Sequence, residues 1–354
     1  MTDQSNPVAH SNTQPEIGTK SINDIFIGMG GWELPPFNKT LYPSKQEKGF
    51  RKLEYYSRFF DLVEVNATFY NSSLSPEQSS QWVKDVGANE RFVFTVKLFR
   101  GFTHTFNATK NDALAIHRLL DPLREAKKFN GLLIQFPSTF TKSNSRLAYL
   151  VKLRTAFPED RLFVDLRHRS WNEELFYKFC HENGFNFVNI DLPRLPGHIP
   201  INSFAWDGIA YFRMMGRNES AWNKPRSDDR YLYSYSEEEL QDLVQRIKHL
   251  NAQTTYVVFH NDRQAFSLVN GRQVEHALCP SKHLNAPIKL LVAFPQLKTF
   301  CEPPTVNDEL FSPTLEPEPS LIRRSKFHPD NSTANIPPLP SHIIKRKKNK
   351  NKRL

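Results

Sequence analysis

Eight short β-rich apolar runs punctuate the middle of the chain, and most of the gaps between them carry a helical pattern. The runs are IFIGMGGW (25–32), DLVEVNATFY (61–70), RFVFTVKLF (91–99), GLLIQFP (131–137), RLFVDLRHRSW (161–171), FNFVNIDLP (185–193), GIAYFRMMG (208–216) and TYVVFHND (255–262). Amphipathic stretches such as SPEQSSQWVKDV, DALAIHRLLDPLREAKKF, SRLAYLVKLRTAF and SEEELQDLVQRIKHL lie between them. Ser75-Pro76-Glu77 and Ser236 followed by Glu237–Glu239 read as helix starts, with a capping hydroxyl and acids in the first turn. Gly184 reads as a helix stop. The gap between the sixth and seventh runs is short and is not expected to carry a full helix. Strands and helices alternating in this number predict a single closed (β/α)8 TIM-like barrel over residues 21–302. The competing architecture is an open doubly wound sheet. Its phosphate-binding fingerprint is absent, because MGG at 29–31 runs into WELPPF and not into a helix.

Polar side chains cluster near the C-terminal ends of the runs. Alternate residues of a strand face opposite sides, and the outward side of a barrel strand packs on helices. Glu64, Asn66 and Thr68 share one parity, as do Thr95 and Lys97, Asp165 and Arg167, and Tyr211 and Arg213. Gln135, Asp191, His260 and Asp262 stand near the ends of their own runs. All are expected at the C-terminal mouth, where barrel enzymes place their active sites.

The chemistry follows from the residue types. Lys97, Arg167 and Arg213, with Arg100 nearby, point to an anionic, phosphate-bearing substrate, since a guanidinium fork matches phosphate oxygens. Asn66, Tyr70, Gln135, Trp171, Asp191 and Asn261 complete the candidate binding set; Tyr70, Trp171 and Trp32 offer stacking faces, while Phe69 reads as a cap on the core. Glu64 and Asp165 are candidate acid/base carboxylates, and His168 and His260 candidate proton carriers. The competing reading pairs each arginine with an acid on a neighbouring strand, as a purely structural interior. Acids and histidines at strand ends can hold a divalent cation, but no HxH or HExxH motif stands out and His104, His168 and His260 are scattered. No resident metal or cofactor is expected.

The ends differ in composition from the middle. Residues 1–20 read as a disordered leader without the apolar core of a signal peptide, and 303–354 as a disordered Pro-rich tail. The run 345–354, KRKKNKNKRL, carries seven of the basic residues, leaving +3 of the net +10 for residues 1–344. The basic character therefore belongs largely to the tail, which reads as an arm for nonspecific nucleic-acid contact. Three widely spaced cysteines argue for a reducing, cytoplasmic setting. No window is long and apolar enough to span a membrane.

GMGGW, EVNATFY, FTVKLF with a following Thr103-His104, LIQFP, DLRHRSW, YFRMMG and VVFHND occur in an order and spacing that resembles the DUF72 family, also called YecE-like or UPF0759. The resemblance runs from about residue 24 to 300 and implies a TIM-type barrel. It implies no particular reaction. The chain departs from the family pattern at Met215, where His is usual, at Asp165, where Glu is usual, and at His260-Asn261, where Asn-Asn is usual. Two functional readings fit the residues. One is an enzyme acting on a phosphate-bearing substrate at the barrel mouth. The other is a non-catalytic, nucleic-acid-associated binding protein.

Overall fold

The computed structural model describes residues 24–222, 224 and 228–304. The expected leader, and the expected tail beyond residue 304 with its basic run, lie outside the described residues.

Nine parallel strands form the central sheet: β1 Asp24–Met29, β2 Leu62–Val65, β3 Val93–Lys97, β4 Phe129–Gln135, β5 Leu162–Asp165, β6 Phe185–Phe187, β7 Asn189–Asp191, β8 Ile209–Met214 and β9 Thr254–Phe259. Their order is β6-β5-β4-β3-β2-β1-β9-β8-β7. The two ends of that order, β6 and β7, are separated in the chain only by Val188. The sixth run therefore bonds β5 with its first half and β8 with its second. The sheet closes on itself as the eight-position barrel the alternating pattern predicts, and no edge is left open.

Helices wrap the outside where the amphipathic stretches place them. Glu237–Leu250 starts with a capping box: Ser236 N–H donates to Glu239 Oε2 at 2.9 Å and Glu239 N–H to Ser236 Oγ at 3.3 Å. The helix Glu174–Glu182 stops just before Gly184, which takes a positive φ of 66°. Between β7 and β8 no helix forms, because the sequence there offers no amphipathic period.

The strands are shorter than the runs that encode them, and this changes the expected facing. β2 ends at Val65, and Ala67–Tyr70 turn into a short helix. Asn66 and Thr68 thus do not continue the face of Glu64. Thr68 is fully buried and donates to Lys97 O at 2.5 Å, tying the turn to the next strand. β5 likewise ends at Asp165, ahead of Arg167.

Inside the barrel the side chains stack in layers. An aromatic layer fills the lower half, where Phe163 and Tyr211 have ring centroids 4.4 Å apart and Phe26 stacks on Tyr256 at 5.4 Å. Gly131 in β4, at φ 142°, makes room for it: an added Cβ would lie 2.7 Å from the Phe163 ring. The polar layer rests directly on these rings, so it is cut off from water below.

Candidate active site at the C-terminal mouth

Four strands deliver the floor of the mouth. Arg213 of β8 donates from Nε to Glu64 Oε2 at 3.0 Å and from Nη2 to Glu64 Oε1 at 2.8 Å, a two-pronged pair across the barrel. Its Nη1 donates to Asp165 Oδ2 of β5. Tyr211 donates to Glu64 Oε2 at 3.0 Å, and Thr95 meets the Tyr211 hydroxyl at 2.9 Å. Glu64, Asp165 and Thr95 are wholly buried and Arg213 very nearly so. Burial works against every charge here, and mutual pairing overcomes it. Burial works against the Glu64 carboxylate, but the Arg213 guanidinium holds it well below the usual carboxylate range. Arg213 is held firmly protonated by Glu64 and Asp165 against the same penalty.

His260 completes the floor. Arg213 Nη2 lies 3.0 Å from His260 Nε2, and a guanidinium can only donate. That nitrogen is therefore the acceptor, and the ring is neutral with its proton on Nδ1. Burial, then Arg213, pushes the ring's pKa down to about 4. Glu64 Oε1 lies 3.2 Å from the same Nε2, so a proton arriving there would be shared with Glu64. The ring fits because residue 30 is glycine: a Cβ there would sit 2.3 Å from His260.

Above this floor opens a cavity of about 780 Å³, lined from the strand ends and the loops that follow them. Its polar walls differ from the floor in being left incomplete. Lys97 Nζ sits 4.1 Å over the Phe69 ring and makes no hydrogen bond or ion pair to any described residue. Burial, aided by Arg213 and Arg167, pushes its ammonium down to about 7 although Glu64 and Asp165 pull the other way. Arg167 Nε is buried without a hydrogen-bond partner and stands 3.5 Å from Asp165 Oδ1, which is equally unpartnered. Asn66 donates to Gly30 O at 2.7 Å and leaves its own Oδ1 buried and unbonded. Asp262 has a buried, unpartnered Oδ1, and burial, then Glu64, pushes its carboxyl up to about 7. His104 is kept neutral by burial and by Lys97 beside it, with its pKa down to about 4.

The cavity brings together Asn66, Tyr70, Lys97, Gln135, Arg167, Arg213 and His260 from the candidate set. Glu64 and Asp165 lie beneath it, engaged by Arg213. The other candidates stand elsewhere. His168 Nδ1 accepts from Ser170 N–H at 3.1 Å and caps the short helix Arg169–Trp171. Trp171 is wholly buried, donates to Phe140 O at 2.6 Å, stacks on Phe140 and meets the Phe176 ring at a tilt. Asp191 is bonded by Arg217 Nε at 2.9 Å and Tyr235 at 2.7 Å in a separate cluster with Glu239. Asn261 donates to Tyr233 O at 2.9 Å and Asn270 Oδ1 at 2.8 Å, which fixes the loop after β9. The sequence reading did not single out His198, Trp222, Tyr231 and Arg263, which also line the cavity from connecting loops. Loops have no period to mark an inward residue. The aromatic content of residues 217–235 was the one available signal. Among the described residues no three His, Cys, Asp or Glu side chains gather as a metal-ligand set, and no helix is long and apolar enough to cross a membrane.

A family model described as a protein of unknown function, DUF72, matches residues 26–289, from within β1 to beyond β9. The chain belongs to the DUF72 family. Among DUF72 relatives, the UPF0759 protein YunF of Bacillus subtilis (strain 168) is 29% identical over 270 residues, spanning 71% of this chain and 93% of its own length. The crystal structure of a DUF72 family protein from Thermotoga maritima MSB8 aligns with a TM-score of 0.65 and 32% identity, over 72% of this chain and 99% of that one. One from Enterococcus faecalis V583 aligns with a TM-score of 0.61 and 27% identity, over 73% and 98%. The DUF72 match takes in all nine barrel strands, and so every strand end that supplies the cavity.

Proposed function

We propose that this DUF72 barrel binds a small phosphate-bearing ligand at its C-terminal mouth and uses the mouth for chemistry on it. The charge balance of the cavity wall carries this reading. Among the described residues, Lys97, Arg100, Arg167, Arg213 and Arg263 line it against one carboxyl, Asp262, whose pKa stands at about 7. Arg213 is neutralised from below, and Arg263 lies 3.7 Å from Asp229. Arg167 is left with a buried donor unused. An unmade hydrogen bond at such a group costs about 1–3 kcal/mol, which an oxyanion in the cavity would recover. A volume of about 780 Å³ suits a metabolite such as a sugar phosphate. Glu64 is locked in the floor, which makes it a positioning group. Lys97 and Asp262, titrating near neutrality, take over the acid/base part.

Thermal melting of the full chain with inorganic phosphate and with sugar phosphates tests the reading. A bound ligand raises the melting temperature of the native state. We expect a concentration-dependent rise with the parent protein and none with Arg167→Ala, whose own unliganded melt stays close to the parent's. A parent protein that shows no rise with any phosphate compound would rule the anion site out.

A further inference from the structure

We infer that Lys97 is a nucleophilic amine, and that the cavity takes phosphorylated aldehydes or ketones whose carbonyl carbon Lys97 converts to an imine. The phosphate half of this inference rests on the anion reading above. The amine half stands on separate observations. Lys97 is the last residue of β3, the position from which a side chain enters the mouth of a barrel. It is partly buried, yet no carboxylate or other described side chain holds its Nζ. Arg213 engages Glu64 and one oxygen of Asp165, and Lys97 does not bond even the remaining, open Asp165 oxygen. A lysine serving only as a structural cation would be paired with one of them. This one places its amine over the face of Phe69, another residue of the cavity lining.

The electrostatics agree. The groups facing Lys97 are Arg213, Arg167, Glu64, Asp165 and the neutral rings of His104 and His260. The ring face of Phe69 favours the ammonium modestly. Burial and the two guanidiniums outweigh it, so a large share of Lys97 is free amine near pH 7. An unshifted lysine holds only about one part in 2,500 as free amine there. Desolvation next to other cations is an established way to make a lysine nucleophilic.

The step balances without a further reagent. The Nζ lone pair bonds to the carbonyl carbon while the C=O π pair moves to oxygen. The nitrogen gives up its two hydrogens, through solvent or His104, to that oxygen. The C–O bond breaks, water leaves, and a C=N bond remains. Protonated, that imine withdraws electrons from the neighbouring carbon, and Asp262 is the cavity acid poised to exchange a proton. The guanidinium of Arg167 would hold the phosphate at the opposite end of the same ligand.

Pyridoxal 5′-phosphate, a phosphorylated aldehyde, is a probe that reports both halves. The full chain is incubated with a limiting amount near pH 7, reduced with sodium borohydride and digested, and each modified lysine is quantified by mass spectrometry. We expect labelling of Lys97 about tenfold or more faster than of any other lysine. Lys97 labelling should rise as pH passes through about 7. Inorganic phosphate should protect it, and unphosphorylated pyridoxal should label it more slowly. Lys97→Met, which keeps an apolar stem on Phe69, should remove the fast adduct while the other lysines label as before. Should that variant misfold, the site map of the parent protein decides alone. Labelling spread evenly over surface lysines, with Lys97 no faster, would overturn the amine inference. If phosphate still raises the melting temperature in that case, the anion site survives without it. Fast labelling of Lys97 by pyridoxal and its phosphate alike, with no phosphate-induced melting shift, would keep the amine and discard the anion site.

Discussion

Arg213 and Arg167 border the same cavity, yet the protein treats them in opposite ways. Arg213 spends its donors on Glu64, Asp165 and His260 and is nearly inaccessible to solvent. Arg167 stands one level higher, with its Nε unbonded beside an equally unbonded Asp165 oxygen. A fully paired charge contributes structure, because removing it strands its partners in a dry interior. A half-paired charge at a cavity wall contributes affinity, because its remaining donors await something from outside. The floor is therefore a frame, and the wall above it is the surface that the proposed ligand would meet.

The sharpest way to break this comparison is Arg213→Ala. It leaves Glu64 and Asp165 buried without a counter-charge, and we expect a loss of about 3–5 kcal/mol in denaturant unfolding. If Arg213→Ala cost no more than Arg167→Ala, the division into frame and wall would be wrong. Next in size is Gly30→Ala. Its methyl would meet the His260 ring at 2.3 Å and push it off Arg213. We expect a loss of about 1–3 kcal/mol by the same measurement, and an unchanged stability would mean that His260 has room to move.

The smallest effect concerns Asp262 and shows itself in pH. Its folded pKa is raised from 3.8 to about 7, so the native state binds the extra proton between those values. Stability from this group is thus present at low pH and is lost as pH rises through that window. Asp262→Asn stays neutral throughout. It should melt higher than the parent at pH 8, by on the order of 1–3 kcal/mol, and lose that advantage by pH 4. Parallel melting curves across the range would show that the carboxyl is not desolvated.

The barrel was legible because its signal is repeated. Eight apolar runs and their amphipathic partners each vote for the same architecture, and an error in one leaves the rest standing. The site was legible only up to the strand ends. Parity located Glu64, Lys97, Asp165 and Arg213, which all lie within strands. It failed where the chain left the sheet: His168 and Trp171 fall after β5 and turn into a cap and a core contact. Asn66 reaches the cavity, but from a turn and not from the face of Glu64. The pairing of Arg213 with Glu64 spans 149 residues of sequence, and nothing local distinguishes that bonded arginine from Arg167. What separates them is depth, which only closure of the barrel defines.

The split sixth strand and the floor above it together set an order of assembly. Glu64 is made early in the chain, while Arg213 and His260 come from the last two barrel strands. Until those strands dock, Glu64 and Asp165 have no counter-charge and must keep their water. A chain still lacking β8 and β9 is therefore held open by its own hydrated carboxylates, and cannot collapse into a dry but incomplete barrel. Docking of β8 onto β7, and of β9 onto β8 and β1, is what brings Arg213 and His260 to those acids. In this fold the floor of the mouth is the latch that ties the first strands of the barrel to the last.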